Sequence, residues 1–142
     1  MVMFQRENLK TVVLISCVKS KKPNAAKARD LFISPLFKSK MEFAQRYKPD
    51  EIYVLSSKYG LVELDQVVEP YDVELSKQSE TEKRAWASKV LEALKKRSNL
   101  NSDKFILLAS SQYRKYLIPA LKHFEIPLDG LRFGKQLQRL KR

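Results

Sequence analysis

The sequence predicts an α/β protein, a three-layer sandwich with a mostly parallel central sheet. Three short β-rich apolar runs, at residues 11–18, 52–55 and 105–109, are separated by stretches of helical periodicity long enough for crossover connections. The first run is continuous rather than alternating, which is the pattern of a strand buried on both faces. Only 3 glycines and 6 prolines among 142 residues argue against a turn-rich β-sandwich. The length is that of one domain, so residues 1–142 are expected to form one unit, with residues 1–9 flexible or loosely packed.

Thr11–Val18 is β-branched and apolar, and Lys19–Asn24 breaks it with polar residues and Pro23. Ser34 followed by Pro35 reads as an N-cap with proline at the first helical position. Phe37, Met41, Ala44 and Tyr47 recur behind it at helical spacing, so a helix is expected from Pro35 to about Tyr47. A second strand is expected at residues 51–56. The following stretch from Leu61 to Leu75 lacks a helical period and reads as a long excursion with one short edge strand. Ser79 to Glu82 has the spacing of a capping box, and Trp86, Val90, Ala93 and Leu94 mark the buried stripe of the helix behind it. A third strand follows at residues 104–109. A helix is expected from Arg114 to about Phe124, kinked at Pro119, with His123 late in it; the end of the chain reads as basic and amphipathic.

Charge is the loudest compositional signal, at +12 with 28 basic and 16 acidic residues. It is uneven. Residues 63–82 hold seven acids and one base, a net −6, while the other 27 bases and nine acids leave +18 on the remainder. A basic body with one acidic segment suits a polyanionic partner, so nucleic acid or a phosphorylated nucleoside is the expected ligand. One cysteine, Cys17, excludes an internal disulfide, and with one histidine, His123, it leaves no expectation of a metal site or other cofactor. Neither a signal-peptide core at the N-terminus nor a run long enough to cross a bilayer is visible, which makes the cytoplasm the expected location and a membrane partner unexpected. No Walker loop or dinucleotide glycine fingerprint is present. Oligomeric state is left open.

All three predicted strands end alike: Ser16, Cys17, Lys19 and Lys21 after the first, Ser56, Ser57, Lys58 and Tyr59 after the second, Ser110, Ser111 and Tyr113 after the third. In open α/β sheets ligands bind outside the carboxyl ends of the strands. Hydroxyls, helix-start amides and lysines would there converge on an anion, and tyrosine rings would offer faces to a base. Each exit taken alone is what any strand needs to reach water. Cys17 beside two lysines is either an activated thiol or a packed one. Lys21–Lys22 and Lys38–Ser39–Lys40 are too short to be binding motifs, though either could touch phosphate.

Several of these segments together carry a resemblance: Ser16 to Lys21, Leu31 to Phe37, Leu55 to Val62, Glu69 to Asp72 and Pro127 to Leu131. They resemble an uncharacterised bacterial and phage domain family over nearly the whole chain. The Tyr59–Gly60–Leu61 stretch with the later Pro70–Tyr71 is similar to the peroxide-stress YaaA family and, more distantly, to a domain of archaeosine synthase. The resemblance implies a fold like that of the uracil-DNA glycosylases and association with nucleic acid. Asp72 stands where the YaaA family tends to have arginine, and the glycosylase motifs themselves are absent.

Three functions are compatible with these residues. The first is a nucleobase-handling enzyme that cleaves or exchanges an N-glycosidic bond, a DNA-glycosylase-like hydrolase; this needs a slot for the base, a carboxylate and cations for phosphate. Tyr59, Asp72 and Lys58 are the candidates for those roles, with Ser56 and Ser110 as donors and Asp65 as the substitute carboxylate. The second is a non-catalytic DNA- or RNA-binding module of stress or phage defence. The third is a phage-type inhibitor that sets its basic surface against an acidic host protein.

Overall fold

In the computed structural model, residues 9–19, 21–131 and 133–141 are described; the expectation for the N-terminal segment falls, but for Leu9, outside them. Strand β1 (Thr11–Ser16) lies at the centre of a five-stranded sheet. It pairs in parallel with β3 (Glu51–Ser56) on one side and with β6 (Lys104–Leu108) on the other. The order is completed by β4 (Gly60–Glu63), antiparallel to β3 at one edge, and β7 (His123–Glu125), parallel to β6 at the other. The three predicted strands and their parallel arrangement are therefore present. A separate two-stranded ribbon joins β2 (Ala26–Lys27) to β5 (Val67–Val68).

Side chains alternate across β1 and both faces are covered, so the run is apolar throughout. Val13 and Ile15 pack with Phe37 and Phe43 of α2 (Pro35–Ala44), with α1 (Ala28–Leu31) and with Leu140 of α5 (Phe133–Lys141). Val12 and Leu14 face Trp86, Val90 and Leu94 of α3 (Glu80–Lys95). These are the three layers. Two aspartates peg the far end of the sheet: Asp50 accepts from the Thr11 amide at 2.8 Å, and Asp103 accepts from the amides of Lys10 at 2.9 Å and Asn99 at 2.7 Å.

Local signals act as expected at two helix starts. Ser34 accepts from the Phe37 amide with Pro35 behind it, and Ser79 and Glu82 form a reciprocal capping box. The region after the third strand differs from expectation. Instead of one helix from Arg114 to Phe124 there is a single turn, α4 (Ser111–Arg114), a 3-10 turn at Ile118–Ala120 and then β7. Leu117 and Leu121 are buried at helical spacing, but Pro119 cannot donate to a helix ladder and sits in the 3-10 turn. His123 accordingly lies exposed on an edge strand and not on a helix. The excursion after β3 holds the expected edge strand, β4, and adds β5 to the ribbon.

Candidate functional site

The chain leaves β1 toward β3 on one side and leaves β6 toward β7 on the other, so connections diverge between the neighbouring strands β1 and β6. Such a divergence opens a crevice at the carboxyl ends of the two strands. Two clefts lie there and share Cys17, Val18 and Ser110. The first, of about 210 Å³, is bordered by Lys19, Lys21, Asp72, Glu74, Gln112 and Tyr113. The second, of about 240 Å³, is bordered by Ser16, Lys40, Arg114, Leu128 and Gln136.

The acidic segment reaches the first cleft because the chain reverses at Gly60, whose φ of +80° is a left-handed conformation that glycine adopts without a Cβ penalty. After β4 and β5, residues 69–74 return across the strand ends. Two buried serines from the exit of β3 hold them there. Ser56 Oγ donates to the Tyr71 hydroxyl at 2.7 Å while accepting from the amides of Tyr59 at 2.9 Å and Lys58 at 3.2 Å. Ser57 Oγ donates to the Val73 carbonyl at 2.6 Å. The carbonyl of Ser56 accepts from Trp86 Nε1 at 2.8 Å, so α3 is tied to the same point.

Cys17 stands between the two clefts. Its sulfur is 3.1 Å from the Tyr113 hydroxyl and donates to Ser57 Oγ at 3.8 Å. Burial pushes the hydroxyls of Tyr71 and Tyr113 well above the usual phenol range, and the negative charge of a Cys17 thiolate would push them further. Lys21 sits 4.5 Å over the Tyr71 ring. Burial lowers its pKa, opposed by Cys17, Asp72 and Glu74. Glu74 is engaged by Lys19 at 3.7 Å and Lys77 at 3.4 Å. Asp72, exposed at the cleft edge, makes no hydrogen bond or ion pair among the described residues.

The structure thus brings Cys17, Lys19, Lys21, Asp72, Ser110 and Tyr113 together at one crevice, with Ser16 in its second half. Ser56 and Ser57 lie beneath it as supports. Ser111, Lys58 and Tyr59 border neither cleft: Ser111 is exposed at the start of α4, Lys58 reaches over the Tyr59 ring at 5.3 Å, and that ring meets Tyr71 edge-on at 5.4 Å between centroids. Asp65, the substitute carboxylate, is bound to Arg29 at 2.8 Å, away from both clefts. Sequence reasoning did not single out Glu74, Arg114 or Gln136 for this crevice. A signal for Lys40 existed, since it falls on the buried stripe of α2 between Phe37 and Ala44.

Among the described residues no three metal-ligating side chains come together, and no helix is long and apolar enough to cross a membrane. A search of curated proteins finds no match. Residues 12–142 match the family of unknown function DUF6884, and the chain, as a mostly parallel α/β sandwich with its crevice at the β1–β6 divergence, belongs to that family.

Proposed function

We propose that the crevice binds a nucleotide, free or within nucleic acid, and that the protein acts on its N-glycosidic bond. The observation that carries this reading is Asp72, a carboxylate without an ion-pair partner among the described residues, at the edge of a cleft that Lys19, Lys21 and Tyr113 also line. In the hydrolytic form, a water oxygen bonds to the sugar C1′ as the C1′–N bond breaks; the base leaves with the electron pair and ends with the proton that the water loses, passed on by Asp72 through solvent. Asp72 accepts the proton of the water and opposes the positive charge that develops on the sugar. Tyr113 takes the base-facing role first assigned to Tyr59, and Lys19 and Lys21 take the cationic role first assigned to Lys58. The +18 carried outside residues 63–82 draws the polyanion in. The resemblance of residues 55–72 to the YaaA family and to an archaeosine synthase domain agrees with nucleobase handling.

Chromatography for free base released from nucleosides, nucleotides and single- and double-stranded oligonucleotides tests the proposal. The wild type should release base from at least one of them, and Asp72→Asn should abolish release with melting temperature and ligand affinity retained. No release from any substrate retires the chemistry. Strong, salt-sensitive oligonucleotide binding in that case favours the non-catalytic module, which the basic body supports on its own.

A further inference from the structure

The two halves of the crevice differ in charge. In the first, Lys19 and Lys21 are matched by Asp72 and Glu74. The second is bordered by Lys40 and Arg114 and, among the described residues, by no acidic side chain, although Asp129 pairs with Arg114 from outside the lining, so Lys40 is the cation left unmatched. We propose that this second half is a phosphate subsite, in which the Lys40 ammonium and the Arg114 guanidinium hold the phosphomonoester of the ligand whose base and sugar lie in the first half.

Lys40 is the stronger half of the case. It is only 5% exposed, yet its ammonium has no hydrogen bond or ion pair among the described residues. No buried side-chain nitrogen among the described residues lacks a partner, so the stem of Lys40 is buried while its ammonium opens into the cleft, where it is free to meet an anion. The position is set by the helix: Ser34 and Pro35 fix the start of α2, and Phe37, Lys40, Phe43 and Ala44 form its inward face. An apolar residue would serve packing at that point better than lysine. Burial pushes Lys40 down to about 8, against a raising effect of Cys17, which leaves it mostly charged at neutral pH, and a bound anion would raise it again.

Arg114 is pre-aimed. One Nη donates to the Ala109 carbonyl at 3.0 Å and the other to Asp129 at 2.8 Å, which fixes the plane of the guanidinium at the wall of the cleft. Ser16 and Gln136 add polar groups to the same wall, the Gln136 amide being held by the Leu131 carbonyl at 2.8 Å. The subsite rests on the nucleotide reading only for what carries the phosphate. Phosphate binding itself stands or falls separately.

The test uses the full chain at low salt, titrated with inorganic phosphate and then with ribose 5-phosphate, and observes the Lys40 side-chain resonance by NMR. Saturable binding that moves the Lys40 signal is expected. Lys40→Met should weaken phosphate binding at least tenfold while raising the melting temperature, a pair of changes that a structural lysine would not give. Lys40→Gln serves if the methionine variant does not fold. Oligonucleotides with and without a 5′-phosphate show whether the monoester is a nucleic-acid end or belongs to a free nucleotide. Binding with no base release keeps the subsite and removes the N-glycosidic chemistry; base release with no phosphate binding does the reverse. Absence of saturable binding, or equal affinity in wild type and Lys40→Met, overturns the subsite.

Discussion

Replacing Ser56 by alanine removes one oxygen that holds three groups. Ser56 is 1% exposed, and its hydroxyl donates to Tyr71 and accepts from the amides of Tyr59 and Lys58. Each intramolecular hydrogen bond is worth about 0.5–1.5 kcal/mol net, and more where the abandoned partner stays buried. Lys58 is exposed, so its amide rehydrates and contributes least; Tyr59 and Tyr71 are half-buried and carry most of the loss. The expected destabilisation is about 2–3 kcal/mol, which at about 2–4 °C per kcal/mol for a chain of this size lowers the melting temperature by about 5–10 °C. The tie from Trp86 is to the Ser56 carbonyl, which alanine retains, so α3 should stay docked. Urea unfolding followed by Trp86 fluorescence gives the stability, and hydrogen exchange should show faster exchange confined to residues 56–74. A loss below about 0.5 kcal/mol, or exchange that rises equally over α3, would refute the view of Ser56 as the fastening of the acidic segment.

Lys40 predicts a particular pH profile. With its folded pKa near 8 and its ordinary value 10.5, the unfolded chain binds one more proton between those limits, so stability rises with pH across that window. The penalty is present in full below pH 8. The raised pKa values of Tyr71 and Tyr113 act oppositely above pH 10, where the unfolded phenols ionise first. Cys17 and Arg114 border the same cleft as Lys40, so the measurement is the wild-type curve minus that of Lys40→Met. That difference should change by on the order of 2–3 kcal/mol between pH 8 and 10.5, and a flat difference would contradict the desolvation of the ammonium. Gly60→Ala should cost about 1–2 kcal/mol, because φ is +80° there, even though an added Cβ would meet only the Lys89 side chain at 3.5 Å; chemical denaturation measures it. Ser79→Ala breaks the capping box and should cost about 1 kcal/mol in the same assay. Nucleic-acid affinity should fall by orders of magnitude between 50 and 200 mM salt if about six or more phosphates are contacted, as fluorescence anisotropy would show.

The parallel core was legible because its signals are local and redundant. Val12 to Ile15 are apolar at every position, which only burial on both faces explains, and Ser79 with Glu82 specifies a helix start within four residues. The edges were not legible. All three residues of β7 are exposed, so His123–Glu125 has no alternation to read, and what makes it a strand is its pairing with Lys104–Ile106. The helix expected from Arg114 to about Phe124 gives way to two tight turns around Pro119, which still bury Leu117 and Leu121 four residues apart. Within the site, the exits of β1 and β6 were readable from the rule that ligands meet strand ends, and Asp72 was named only as the carboxylate the chemistry needs. The roles of Ser56 and Ser57 depend on Tyr71 and Val73 returning from 15 and 16 residues away, a contact that no local pattern encodes.

The strand order also sets a timetable for biosynthesis. The central strand is made first, and its two partners come from the middle and the last third of the chain. As the polypeptide leaves the ribosome, β1, β3 and β4 can associate early, and with residues 69–74 made they present one wall of the crevice with Ser56 and Ser57 in place. One whole edge of β1 then stays unpaired until β6 emerges, an interval in which Val12–Ile15 is an open apolar edge prone to pairing with other chains. Cys17 meets Tyr113 only after that, so the crevice closes last. A ribosome-stalled chain from which residues up to about 100 have emerged should therefore hold a folded β1–β3–β4 unit, bind no ligand, and need a chaperone that shields strand edges, whereas the emergence of about twenty more residues should release it.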